Sequence, residues 1–81
     1  MFIETVTTQQ AKQLIAAGRK PYEFKTTNAA KGPIFGPGYD DRGALNRARK
    51  ENRYAETVEA AQHCARLHGT EIEAVTFLES P

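Results

Sequence analysis

The stretch from Asp41 to His68 has helical composition, and the placement of its apolar residues constrains the fold more than any other feature. As one straight helix it would be about 42 Å long at about 1.5 Å per residue, longer than a domain of 81 residues needs. Four apolar side chains of its second half fall on one line of a helical wheel: Tyr54, Val58, Ala61 and Ala65. The apolar side chains of its first half lie on the opposite side: Ala44, Leu45 and Ala48. A straight helix cannot bury both halves, so we predict a break near residues 51–53.

The N-terminal segment predicts a strand followed by a helix. Residues 2–7 are rich in β-branched and aromatic side chains, which favour a strand. Thr7 followed three residues later by Gln10 is a capping-box pattern, so the helix is expected to start at Thr7 or Thr8. Gly18 is a natural helix end because glycine readily adopts the left-handed conformation that closes helices.

Three further segments have strand patterns of different strength. Apolar and polar residues alternate over 22–27, which predicts a strand with one buried face. Prolines and glycines crowd 28–38, so 34–39 is either a short edge strand or a loop. Residues 71–79 are apolar on both faces, which predicts an interior strand. We expect one face to carry Ile72, Ala74 and Leu78 and the other to carry Val75 and Phe77.

Together these segments predict an α+β fold with the order β-α-β-(β)-α-β. The sheet is expected to be antiparallel, with two helical segments on one face, in a ferredoxin-like arrangement. If 34–39 is a loop, a three-stranded variant remains. Because no repeat or linker divides residues 1–81, we predict a single domain.

Composition argues against several function classes. A chain of this length buries only about 60–65% of the surface of its unfolded form, so we expect no large catalytic cleft. The single cysteine excludes an intrachain disulfide framework, and no apolar run approaches the roughly 18 residues of a membrane span. We therefore predict a soluble, cytoplasmic chain that binds no membrane and no cofactor.

The candidate catalytic and metal-binding groups are incomplete. Cys64 and His68 are one helical turn apart and could reach one ion, but His63 points about 100° away. The alternative is a buried Cys64 and a His68 that interacts with the end of the helix dipole. The only serine is Ser80, and Asp40 with Asp41 fits a helix N-cap better than an acid pair. We expect no enzyme.

Charge segregation is the main functional signal. Residues 42–53 carry five basic and one acidic side chain (+4), whereas residues 54–81 carry one basic and five acidic (−4), within a net charge of +1. The partner-binding residues predicted from the basic segment and the adjoining Pro/Gly loop are Arg42, Arg47, Arg49, Lys50, Arg53, Phe35 and Tyr39. The alternative to a binding site is that these charges form an ordinary helix face exposed to solvent. Arginines beside aromatic rings suit an acidic protein surface or nucleic acid equally well.

Length and element order resemble those of RNA-recognition motif domains. Residues 1–6 resemble the first strand signature, with Phe2 in the aromatic position, and Lys31, Gly32 and Phe35 resemble parts of the second. Pro33 stands where a stacking aromatic belongs, so RNA binding is not carried over from this resemblance.

The sequence thus predicts a non-catalytic interaction module, with a protein partner ahead of nucleic acid. Its size is typical of a small regulatory or inhibitory protein, as encoded by phages or mobile elements, that acts by steric occlusion. Two alternatives stay open: a Cys/His metal or redox site, and a homodimer in which the −4 region of one copy meets the basic segment of another.

Overall fold

A computed structural model describes residues 2–79 of the chain, so Ser80 and positions 1 and 81 lie outside the described residues. Within that range the strands are β1 (Ile3–Val6), β2 (Glu23–Thr26), β3 (Ile34–Phe35) and β4 (Ile72–Leu78). The α-helices are α1 (Thr8–Ala16), α2 (Arg42–Lys50) and α3 (Val58–Leu67), and a 3₁₀ turn spans Ala29–Lys31. None of the described helices is long and apolar enough to cross a membrane.

The first helix begins at the predicted capping box. Thr7 Oγ1 accepts a hydrogen bond from the Gln10 amide at 3.1 Å, and Gln10 Oε1 accepts one from the Thr7 amide at 3.1 Å. These bonds satisfy two amides that have no partner within a helix, so the prediction is confirmed. Gly18, with φ of 99°, follows the end of the helix as expected.

The predicted break in the second helical region is also confirmed. Helix α2 ends at Lys50, and Asn52 has a positive φ of 58°, a left-handed conformation that does not continue a right-handed helix. The Arg53 amide donates to the Ala48 carbonyl at 2.7 Å and closes the end of α2. Each helix can therefore turn its own apolar face inward.

The start of α3 was predicted too early. Tyr54 lies outside the helix and forms a parallel bridge with Phe35, while Thr57 caps α3 by accepting from the Ala60 amide at 3.1 Å. The long-range pairing with β3 overrides the local helical pattern. The other members of the apolar line do lie in α3 and are buried: Val58, Ala61 and Ala65.

The sheet is antiparallel and has the strand order β1-β4-β2-β3. The α+β class, the four-stranded sheet and the interior position of β4 are confirmed, and 34–39 does contain the short edge strand β3. The ferredoxin-like order is not confirmed, because β1 lies at an edge of the sheet. The described residues form three α-helices, because the predicted break divides the second helical segment into α2 and α3.

Helices α1 and α3 pack against the sheet around a core that contains Phe24, Ile34, Val75 and Phe77. The prediction that Ile72 lies opposite Val75 and Phe77 is wrong, because Ile72 belongs to the same core cluster. The register shifts where Lys25 pairs with Ala74 but Thr26 pairs with Ile72, which leaves one extra residue, at position 73, in β4. Such a bulge changes the face on which the preceding side chain lies.

Candidate partner-binding surface

The Pro/Gly platform, defined as residues 32–38, is fastened to the chain that precedes β2. The Gly36 amide donates to the Tyr22 carbonyl at 3.0 Å, and the Gly38 amide donates to the Pro21 carbonyl at 2.9 Å. A Cβ atom at Gly36 would lie only 2.2 Å from the Pro21 carbonyl oxygen, so glycine is required for this approach. The platform is consequently fixed in place and positions Tyr39, which follows it.

Tyr39 is the centre of an aromatic cluster. Its ring centroid lies 4.8 Å from that of Tyr22 and 4.7 Å from that of Phe35, the latter edge-to-face. The Tyr22 hydroxyl donates to Asp40 Oδ1 at 3.5 Å. Burial is the largest cause that raises the pKa of Tyr22 and of Tyr39 above the ordinary value. The next largest cause is the charge of Asp40 for Tyr22 and the charge of Glu23 for Tyr39. The two predicted aromatic anchors, Phe35 and Tyr39, are therefore half-buried and contact each other.

Helix α2 turns its apolar side inward and its basic side chains outward. Leu45 and Ala48 are buried, whereas the arginines and the lysine of this helix are exposed. At about 100° per residue, Arg42 and Arg49 occupy one flank of the helix and Arg47 the other. Arg42 and Arg49 thus lie on a different flank of α2 from Arg47.

A cleft of about 450 Å³ lies along the Arg42–Arg49 flank. It is lined by Pro37, Tyr39, Asp40, Arg42, Leu45, Asn46, Arg49 and Tyr54. The cleft therefore combines one end of the Pro/Gly platform, two guanidinium groups and two tyrosine rings.

Arg49 is oriented by two neighbours. Its Nη1 atom donates to Asn46 Oδ1 at 3.3 Å, and its guanidinium carbon lies 4.3 Å from the centroid of the Tyr54 ring. The Tyr54 hydroxyl in turn donates to Glu56 Oε2 at 3.1 Å. Burial first and then this hydrogen bond raise the pKa of Tyr54, while Arg49 opposes the shift. Arg49 therefore lies over the ring of a tyrosine whose hydroxyl is held by Glu56.

The opposite flank of α2 carries Arg47. It lines a smaller depression of about 300 Å³ together with Phe35, Ala44, Ala48 and Glu51. Lys50 is exposed at the end of the helix. Among residues 2–79, no carboxylate oxygen lies within 4 Å of the charged nitrogens of four cations: Arg42, Arg47, Arg49 and Lys50.

Arg53 differs from the other predicted basic residues because it lies beyond the end of α2 and is half-buried. Its guanidinium donates to the Lys31 carbonyl at the end of the 3₁₀ turn and approaches Glu51 at 3.8 Å. Arg53 thus connects the turn before β3 to the chain between α2 and α3.

Cys64 and His68 both contact the chain that connects α2 to α3. Cys64 Sγ donates to the Tyr54 carbonyl at 3.6 Å, and burial raises the pKa of this thiol above its usual value. His68 Nε2 lies 2.8 Å from the Glu51 carbonyl oxygen. Nowhere in residues 2–79 do three or more Cys, His, Asp or Glu side chains gather as metal ligands would.

Of the two acidic residues before α2, Asp41 is the one that caps the helix. Its Oδ1 atom accepts from the Ala44 amide at 3.1 Å, as expected of a helix cap. Asp40 instead accepts the Tyr22 hydroxyl and lines the cleft. The two carboxylates therefore have separate partners.

Sequence reasoning identified the basic residues and Tyr39 but missed other parts of the cleft. Asn46, three residues before Arg49 on a helix, could have been found from its spacing. Leu45 and Pro37 could not, since they meet only when α2 packs beside the Pro/Gly platform.

Comparison of this chain with protein-family models, with curated proteins and with solved structures found no match.

Proposed function

We propose that the chain is a non-catalytic module that binds an acidic surface of a partner protein. The binding region is the α2 basic surface, defined as Arg42, Arg47, Arg49 and Lys50, together with the neighbouring Tyr39. One observation carries the proposal: these four exposed cations lie within one nine-residue helix, and none has a carboxylate within 4 Å among the described residues.

The other cations of the described residues are either paired or dispersed. Lys20, Lys25 and Lys31 also have no carboxylate within 4 Å, but they lie in three separate segments. Lys12 lies 3.6 Å from Glu59, Arg19 lies 3.1 Å from Glu4 and Arg66 lies 3.7 Å from Glu71. The α2 basic surface instead presents several positive charges without a close carboxylate within one nine-residue helix. At physiological salt, charges interact over about 8 Å, so these side chains act together on an approaching acidic surface.

The side-chain types also suit a protein interface. Arginine and tyrosine are enriched at the centres of interfaces, where they supply hydrogen bonds and large contact area at low entropic cost. Arg42, Arg49, Tyr39 and Tyr54 meet at one cleft next to a fixed loop. Binding there would cover the partner's acidic surface, which is the basis for a regulatory or inhibitory role by steric occlusion.

A second copy of the chain is a weaker partner than a different protein. Two of the five carboxylates in residues 54–81 already face cations of their own chain, Glu59 with Lys12 and Glu71 with Arg66. Glu56 accepts the Tyr54 hydroxyl beside the cleft itself. These contacts reduce the negative charge that the region offers to the α2 basic surface of another copy.

The test compares charge reversals on and off this surface. Proteins captured from the native host would be quantified for the wild type, for Arg42→Glu with Arg47→Glu, and for the control Lys25→Glu with Lys31→Glu. Both double variants change the net charge equally at exposed positions. We expect a directly binding partner to be lost with the α2 pair and retained with the control. A partner set that is identical for all three proteins contradicts the proposal.

Nucleic acid is the second candidate, favoured by one specific observation. Arg49 stacks on the Tyr54 ring beside Arg42 and Tyr39, and such combinations of arginine and aromatic rings bind single-stranded nucleic acid. This candidate predicts affinity that falls with salt by a slope of about −0.7 to −0.9 per phosphate contacted. DNA and RNA oligonucleotides that fail to bind at low salt eliminate it.

A further inference from the structure

We infer that the cleft beside α2 is an anchor site for one carboxylate side chain, an aspartate or glutamate of the partner protein, held between Arg42 and Arg49. This inference rests on the proposed function and adds a division of roles. Arg42 and Arg49 contact the partner's carboxylate directly, whereas Arg47 and Lys50 attract the partner only at longer range.

Charge is the first argument for a carboxylate. Two arginines line the cleft, and neither has a carboxylate within 4 Å among residues 2–79. Asp40 is the one acidic residue of the lining in the described part of the chain, and one of its oxygens accepts from the Tyr22 hydroxyl at 3.5 Å. The lining therefore has one positive charge in excess, which a single carboxylate neutralises.

Preorganisation is the second argument. Arg49 is held by Asn46 and by the face of Tyr54, so binding costs less side-chain entropy than ordering a free arginine would. A guanidinium has donors on all three of its nitrogens, and Nη1 is the one that donates to Asn46, which leaves further donors for a carboxylate. Arginine pairs with carboxylates through two parallel hydrogen bonds, which provides geometric specificity as well as affinity.

The shape of the cleft suits a side chain better than a free small molecule. Its volume of about 450 Å³ is near the lower end of the range for ligand pockets, about 300–1,000 Å³. Ligand pockets are mainly apolar, whereas Pro37 and Leu45 are the two aliphatic residues in this lining. A polar cleft at the edge of a basic surface fits a charged group delivered by a larger partner.

Asp40 distinguishes a carboxylate from phosphate. A phosphate monoester carries about −1.5 to −2 at neutral pH, and a nucleic-acid strand brings further charges alongside the first. Either would place excess negative charge next to Asp40, which lines the same cleft. A lone carboxylate can approach Arg42 and Arg49 without that excess.

The test is a titration followed by nuclear magnetic resonance, using the isotope-labelled 81-residue chain. The probe is a short peptide in which glutamate and serine alternate, and its control contains glutamine in place of glutamate. We expect amide shifts centred on residues 37–54 with the glutamate peptide alone. Absence of such shifts at millimolar peptide overturns the inference. Inorganic phosphate and a thymidine oligonucleotide serve as separate arms, and tighter binding of either than of the peptide also overturns it.

Two double variants of equal charge change separate the inference from the proposed function. Arg42→Gln with Arg49→Gln should weaken the glutamate peptide about tenfold or more, because two charge-assisted contacts are lost. Arg47→Gln with Lys50→Gln should weaken it only about twofold to threefold through long-range attraction. Equal losses overturn the anchor site but leave the basic surface in place, whereas no loss in either variant overturns both.

A conservative variant guards against misfolding as an explanation. Arg49→Lys keeps the charge but not the planar, two-pronged donor or its stacking on Tyr54. We expect it to lose nearly as much affinity as Arg49→Gln, with unchanged amide dispersion outside the cleft. Full retention of affinity in Arg49→Lys contradicts the proposed geometry.

Discussion

Replacing Gly36 with alanine should destabilise the fold and disturb the platform on which the site depends. The added Cβ would lie 2.2 Å from the carbonyl oxygen and 2.8 Å from the carbonyl carbon of Pro21. Ordinary heavy-atom contacts lie near about 3.5 Å, so the two segments must separate by more than about 1 Å. Pro21 is fully buried, and the obstructing atoms belong to the backbone, so no side-chain rotation can relieve the clash.

The expected loss is about 3–5 kcal/mol, from two contributions. Overpacking of a close-packed contact typically costs about 1–3 kcal/mol. Separation of the segments also weakens the bonds from the Gly36 amide to Tyr22 and from the Gly38 amide to Pro21, each contributing about 1 kcal/mol. A chain of this size has roughly 4–12 kcal/mol of stability in total, so Gly36→Ala should lose about a quarter of it or more.

Urea unfolding followed by far-ultraviolet circular dichroism measures this loss, and two other glycines provide matched controls. Gly18 has open space around it but a φ of 99°, so Gly18→Ala should cost about 1–2 kcal/mol. Gly43 lies within α2, where the nearest atom to an added Cβ is Asp41 Oδ1 at 3.3 Å. The gain in helix propensity and the crowding of the capping Asp41 oppose each other, so Gly43→Ala should change stability by no more than about 1 kcal/mol. If Gly36→Ala costs no more than Gly18→Ala, the close approach to Pro21 is refuted.

Three further predictions concern single side chains. Burial raises the pKa of the Glu23 carboxyl above its ordinary value of 4.5, so the folded state loses stability as pH rises from that value through the raised pKa. Glu23→Gln should therefore resist urea better than the wild type above about pH 4.5, and equal resistance would contradict this. Burial also raises the pKa of Cys64, so its labelling by a thiol reagent at neutral pH should be slow, and rapid labelling would restore the redox alternative. Thr57→Ala removes the cap of α3 and should cost about 1 kcal/mol in urea unfolding, whereas Thr57→Ser keeps the capping hydroxyl and should cost little.

The parts of the fold that depend on neighbouring residues could be predicted from the sequence. The capping box of α1 joins residues three apart, and both of its hydrogen bonds form. The break between α2 and α3 followed from the phase of the apolar residues. Leu45 of α2 and Val58 of α3 fall on different sides of one helical wheel, so a single straight helix could not bury both, and in the structure both are buried. The interior position of β4 followed in the same way from its two apolar faces.

The parts that depend on distant residues could not be predicted. The local pattern assigned Tyr54 to a helix, but its backbone pairs with Phe35 across the chain. The bulge at Glu73, which turns Ile72 into the core, arises where β4 meets β2 and leaves no mark in the sequence of β4 alone. Strand order is likewise a property of the assembled sheet.

The candidate site shows the same division. The segregation of charge along the sequence located the basic segment. It could not show that Arg53 donates to the Lys31 carbonyl. Nor could it show that Arg42 and Arg49 have no carboxylate within 4 Å among the described residues. That distinction depends on where α2 ends, since Lys50 is its last residue. The cleft exists only because the Pro/Gly platform packs beside the helix.

Arg42 offers a test in which stability and binding should change independently. It is the first residue of α2, where the positive end of the helix dipole disfavours a cation, and α2 has no acidic residue in its first turn. Arg47, Arg49 and Lys50 lie in the last turn, where the dipole favours them. Arg42→Gln should therefore leave stability unchanged or raise it by about 0.3 kcal/mol in urea unfolding, while weakening the glutamate peptide. Weaker binding in a variant that is no less stable cannot come from unfolding, so it would show that Arg42 contacts the partner. Unchanged binding would remove Arg42 from the anchor site.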